Sequence, residues 1–193
     1  MAPPRTALVV IDMQNAFCSA RGSYRRRGRS IRGMKTLLAN VRKLLAFARR
    51  EKMPVVFTRL SFKRDYSDAG PLVRKQPGIA AVKAYGGWDG AIEKSLRPRR
   101  GETVVVKKRY DAFVGTGLEG LLRRKGVGRV VVAGVLTNVC VESLVRSAFD
   151  RGFAPLVAAD ATATYSKRLH AASLETLKRH FAEVLSCSEL CGT

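Results

Sequence analysis

Six short β-branched or apolar runs alternate with amphipathic stretches along this chain, and that alternation leaves few architectures open. The runs are TALVVID (6–12), PVVFTRL (54–60), TVVVKK (103–108), RVVVAGV (129–135), APLVAAD (154–160) and FAEVLS (181–186). Between them lie MKTLLANVRKLLAFARREK (34–52), TGLEGLLRRKG (116–126), NVCVESLVRSAFDRG (138–152) and SKRLHAASLETLKRH (166–180), each with apolar residues at helical spacing. Near-continuous apolar strands need cover on both faces, as in a parallel sheet. The expected fold is therefore α/β: a doubly wound, six-stranded, mostly parallel sheet flanked by helices, in one domain over residues 1–193. A chain of that length buries enough apolar surface to need neither a disulfide nor a metal.

One connection departs from the rhythm. About forty residues separate Ser61 from Glu102, with Pro71, Pro77 and AYGGWDG (84–90) among them. GAIEKSLRP (90–98) reads as a short helix and the remainder as an ordered loop. Loops of that length at a sheet rim commonly wall or cover a site.

Charge is the other departure. Thirty-six Lys and Arg against fifteen Asp and Glu leave +21, and residues 13–50 hold eleven cations and no acid. RGSYRRRGRSIRGMK (21–35) concentrates seven of them. Such a segment is either a solvated basic loop or a polyanion contact, attracting nucleic acid without sequence preference. No apolar run approaches the ~18–20 residues of a membrane span, and the start MAPPRTALVVID lacks a secretory layout, so a soluble cytoplasmic protein is expected. Cys18, Cys140, Cys187 and Cys191 show no paired spacing and only His170 and His180 accompany them, which argues against zinc. Cys187 and Cys191 could pair in an oxidising setting; reduced thiols are expected.

In an open parallel sheet the ligand site lies beyond the carboxyl ends of the strands, near the switch in strand order. Three chemically different groups fall there. Asp12 ends the first strand, Lys107 the third, and Cys140 follows the fourth. A carboxylate or an ammonium at the end of a buried run is costly without a partner. Cys140 alone could be a small buried hydrophobe. With Thr137 or Asn138 capping the next helix, its thiol would instead sit in the first turn, favoured as thiolate by the helix dipole and an ammonium. Both histidines belong to the basic stretch 166–180 and read as surface residues, so Asp12 is the available base.

VVIDMQNAF (9–17), KKRYDAFVGTGLEGLL (107–122), VVVAGVLTNVCVES (130–143) and DATATYS (160–166) resemble the isochorismatase-like cysteine hydrolase superfamily, in order and over nearly the whole chain. That group includes N-carbamoylsarcosine and ureidoacrylate amidohydrolases and nicotinamidases. The resemblance implies Asp12 as general base, Lys107 as catalytic lysine and Cys140 as nucleophile. It also implies a cis Val135–Leu136 bond that turns the Leu136 amide, with that of Cys140, toward an oxyanion. It further implies a homodimer or homotetramer, no cofactor, and a small amide or ureido substrate cleaved at a C–N bond through a thioester. Gln14, Phe17, Trp88, Tyr110, Phe113 and Tyr165 are expected to bind that substrate.

Two departures qualify the resemblance. Nicotinamidases carry a D-x-H metal pattern after the second strand, whereas FTRLSFKRDYSD has no histidine, so no metal is expected. The arginine-rich stretch 21–32 matches no motif of the group, and the alternative role for the chain is polyanion binding through it. GTGLEG (115–120) fits G-x-G-x-x-G in letters only, because it begins seven residues past the strand end.

Overall fold

The computed structural model describes residues 5–76 and 87–192. Pro77 and positions 84–86 of the expected loop lie outside the described residues. Six strands form one sheet: β1 (Arg5–Ile11), β2 (Val55–Leu60), β3 (Thr103–Lys107), β4 (Val127–Val135), β5 (Ala154–Ala163) and β6 (Glu183–Leu185). Their order is β3-β2-β1-β4-β5-β6, and every pairing is parallel. The chain winds outward from β1 in one direction, then restarts at β4 on its other side. The switch point is therefore the β1/β4 seam.

Helices fill the crossovers: α1 (Asn15–Cys18), α2 (Ser23–Arg26), α3 (Met34–Arg50), α4 (Pro71–Lys75), α5 (Gly87–Gly90), α6 (Leu118–Arg124), α7 (Glu142–Asp150), α8 (Lys167–His180) and α9 (Cys187–Cys191). Alternation along β1 divides the core. Leu8 and Val10 point into a layer with Leu37, Val41, Leu44 and Leu45 of α3, while Ala7, Val9 and Ile11 face Leu122 of α6, Leu144 of α7 and Leu177 of α8. Along α8, Ser173 and Leu177 are buried, while Ala172 is exposed.

Cover is incomplete at one edge. Val104 and Val106 of β3 remain 39% and 43% exposed, because β3 is an outer strand rather than a central one. At the seam the two backbones come unusually close. Gly134 adopts φ +120°, and a Cβ there would lie 2.1 Å from the Ile11 carbonyl oxygen. Only glycine fits. No described helix is long and apolar enough to cross a membrane.

Candidate active site

The strand-end residues converge. Asp12 leaves β1 in a left-handed conformation, φ +49°, which Asp tolerates better than most side chains. Its amide and carboxylate both meet Thr58 of β2. Thr58 Oγ1 accepts from the Asp12 N–H at 3.2 Å and donates to Asp12 Oδ1 at 2.7 Å. Lys107 starts from β3, two strands away or roughly 10 Å in the sheet, and only a long side chain spans that gap. Its Nζ lies 2.8 Å from Asp12 Oδ2, with both side chains essentially fully buried. The same ammonium donates to the carbonyls of Arg109 (3.0 Å) and Tyr110 (3.1 Å) and reaches Cys140 Sγ at 3.3 Å. An ammonium this deep is tolerable because each of its protons meets an acceptor. Asp12 and Cys140 together hold its pKa above the usual lysine value against the opposing effect of burial.

Cys140 sits in a one-turn π-helix, Thr137–Val141, that runs directly into α7. Such widened turns recur at functional sites. The cap differs from expectation. Thr137 Oγ1 bonds His170 Nδ1 at 2.9 Å, and the buried Asn138 Oδ1 has no hydrogen-bond partner among the described residues. His170 is thus half-buried against this turn rather than a surface residue, and burial lowers its pKa. The thiol also departs from the expected thiolate. Burial foremost, then the Asp12 carboxylate that bonds it, push its pKa to about 12, outweighing the lowering effect of Lys107. At neutral pH Cys140 is a thiol hydrogen-bonded to a carboxylate. The Val135–Leu136 bond preceding this turn is cis.

A cavity of about 270 Å³ opens over Asp12, Leu136 and Cys140. Phe17, Tyr110 and Tyr165 line it. Gln14, Trp88 and Phe113 do not. Gln14 is completely buried, its amide donating to the Leu60 and Gly90 carbonyls and accepting from the Leu60 N–H, so it fastens β2 to α5. Trp88 is 48% exposed, with Arg21 over its ring at 5.7 Å. Phe113 packs on Phe153 within the layer under α6 and α7. Sequence reasoning missed Tyr24, Arg27, Arg29 and Gln76, which also line the cavity. The basic segment is therefore part of the pocket wall and not merely a solvated loop. Its Gly-Ser-Tyr start, with Tyr24 the lone aromatic among cations, was the available signal. Among the described residues, no three His, Cys, Asp or Glu side chains gather where they could hold a metal ion.

Comparison with known proteins bears on the family and the fold. The isochorismatase domain model matches residues 6–189. The ureidoacrylate amidohydrolase RutB of Agrobacterium fabrum is 32% identical over 207 residues, spanning 100% of this chain and 91% of that protein. The enzyme of the same name from Pseudomonas syringae pv. syringae is 34% identical, spanning 100% and 85%. Among solved structures, a cysteine hydrolase from Pseudomonas syringae pv. phaseolicola superposes with TM-score 0.89 at 26% identity, covering 100% of this chain and 97% of that one. An isochorismatase family protein from Desulfovibrio vulgaris gives TM-score 0.86 at 27% identity, with 97% of each chain covered.

Proposed function

The chain belongs to the isochorismatase family, and we propose that Cys140, Asp12 and Lys107 perform its hydrolase chemistry on a C–N bond of a small amide or ureido compound. The observation that carries this reading is the contact set of one buried ammonium: Asp12 at 2.8 Å and Cys140 at 3.3 Å in the same cavity. The similarity to ureidoacrylate amidohydrolases supports the ureido class.

Because the resting thiol is protonated, attack and deprotonation are coupled. Asp12 takes the Cys140 proton as Sγ bonds to the substrate carbonyl carbon. The carbonyl oxygen becomes an oxyanion, which the backbone amides of Leu136 and Cys140 receive. Collapse breaks the C–N bond, and Asp12 returns its proton to the departing nitrogen. A water molecule, deprotonated by Asp12, then attacks the thioester carbon; the C–S bond breaks, the acyl product leaves, and Asp12 returns the proton to sulfur to regenerate the thiol. Throughout, the Lys107 ammonium holds negative charge on Asp12 or sulfur without transferring a proton. In this reading residues 1–193 act as one domain of a cytoplasmic homodimer or homotetramer.

The test is a panel of small amides, ureas and carbamoyl compounds assayed for ammonia release. Cys140→Ala and Cys140→Ser should lower turnover at least ~10³-fold and remove any acid-trapped acyl-enzyme. Undiminished turnover by Cys140→Ala would sink the mechanism.

A further inference from the structure

Asp12 and Lys107 account for how the sulfur of Cys140 is held; the backbone of its turn is gripped from another side, by α8. Thr137, the first residue of the turn, is completely buried, and its Oγ1 lies 2.9 Å from His170 Nδ1. One turn further along α8, the buried Ser173 hydroxyl faces the Thr137 carbonyl at 3.3 Å and donates to Glu142 Oε2 at 2.6 Å. Glu142, the first residue of α7, accepts from the Arg146 guanidinium at 2.7 and 3.0 Å. Its own N–H donates to the Thr137 carbonyl, so side chains of α7 and α8 meet at one residue of the nucleophile turn.

Cohesion between the helices does not require this polar set. Leu144 and Val145 of α7 pack in the same apolar layer as Leu174 and Leu177 of α8 and Phe181 after it. Apolar groups of similar shape in place of a buried hydroxyl and its imidazole partner would hold the helices together as well. What the hydrogen bond adds is direction, since it fixes a distance and an angle where apolar contact allows sliding. Direction matters at this place. Thr137 follows Leu136 directly, and the Leu136 carbonyl accepts from the amides of Val139 and Val141 at 3.0 and 3.2 Å, on either side of Cys140. A shift at Thr137 therefore moves both ends of the turn.

On the reading of Cys140 as nucleophile, we propose that His170 is a positioning residue: through Thr137 it fixes the amides of Leu136 and Cys140 for the oxyanion, while Asp12 and Lys107 separately place the sulfur. The histidine touches neither substrate nor sulfur. Its effect is confined to steps that develop charge on the carbonyl oxygen.

Two probes separate those steps from simple thiol reactivity. 4-Nitrophenyl acetate acylates a thiol through a tetrahedral oxyanion and releases 4-nitrophenolate. Iodoacetamide alkylates the same thiol by direct displacement of iodide, with no oxyanion. Both need the sulfur deprotonated, so a change in thiol acidity cancels in their rate ratio. Acylation is the initial 4-nitrophenolate release that Cys140→Ala removes, and alkylation is read by mass mapping of the Cys140 peptide. His170→Leu and Thr137→Val should each lower the acylation/alkylation ratio at least ~10-fold, because a misplaced oxyanion donor forfeits most of its effect. His170→Asn, whose amide donates or accepts near the place of Nδ1, should keep the ratio within ~2-fold of native. The combined His170→Leu/Thr137→Val variant leaves neither polar group orphaned, so its urea midpoint should rise above those of both single variants while its ratio stays low. A ratio that recovers with stability would mark the bond as merely structural and overturn the proposal. So would an unchanged ratio in both single variants, or an equal fall in His170→Asn. In each of these cases a reactive Cys140 leaves the nucleophile reading intact. If Cys140 of the native protein takes neither probe while Cys191 takes both, that reading falls and the positioning role falls with it.

Discussion

At the scale of single residues, the buried Lys107–Asp12 pair is the most exacting feature of this protein. Each charge is tolerable only because the other is 2.8 Å away. Lys107→Met would leave the Asp12 carboxylate without its cation in the interior, a loss of about 3–5 kcal/mol. Adding Asp12→Asn removes the orphaned charge. The double variant should therefore regain at least half of the lost stability in urea unfolding while both variants stay inactive. A double variant less stable than Lys107→Met would contradict the pairing. Cys140 makes a second prediction at this scale. Its pKa stands at about 12 against an ordinary 9.0, so the folded state keeps a proton that the unfolded chain sheds above pH 9. Stability is complete below pH 9 and declines as pH rises toward 12. Burial raises Cys18 in the same sense. Cys140→Ala should flatten the decline in unfolding midpoint between pH 8.5 and 10.5, and an unaltered slope would count against a buried neutral thiol.

At the scale of elements, what sequence periodicity reveals is what packing requires repeatedly. The six strands and the crossover helices were legible because each presents several apolar residues to a layer. Asp12, Lys107 and Cys140 were legible for a topological reason, since strand ends in a doubly wound sheet must meet at one rim. The walls were not. α1 and α2 are four residues each, too short to nucleate alone, and exist through contacts with α5 that no local pattern encodes. Gln14, Phe113 and Trp88 failed as pocket residues because their side-chain directions depend on those tertiary contacts. Asp89→Ala removes the acceptor shared by Ser23 and Arg26. Trypsin should then cleave between Arg25 and Arg29 several times faster, with the unfolding free energy lowered by less than about 1.5 kcal/mol. Cleavage at the native rate would mean the segment is held by something else. Gly134→Ala offers the opposite case. Its Cβ would strike the Ile11 backbone where both central strands are rigid, so loss of more than about 3 kcal/mol, or failure to fold, is expected in thermal unfolding.

Over the whole molecule, any affinity for polyanions would come from the net charge of +21 on 193 residues. The question is whether that affinity is localised. Cations occur on α3, α6 and α8 as well as at the pocket rim, among them Lys35, Arg42, Arg123, Arg124, Lys167 and Arg179. A duplex laid on such a surface neutralises whichever phosphates it touches, and its affinity falls with salt in proportion to their number, with a slope near −0.9 per contact. Removing Arg27 and Arg29 deletes two of thirty-six cations. If polyanion contact is generic, the double Arg27→Gln/Arg29→Gln variant should change the salt slope for duplex DNA by no more than ~2, show no sequence preference, and elute from heparin only slightly earlier. That outcome follows from geometry: two guanidiniums at the mouth of a small cavity are a minor part of the field felt by a long polymer. Loss of most DNA affinity in the double variant would instead identify the cavity rim as a localised polyanion site.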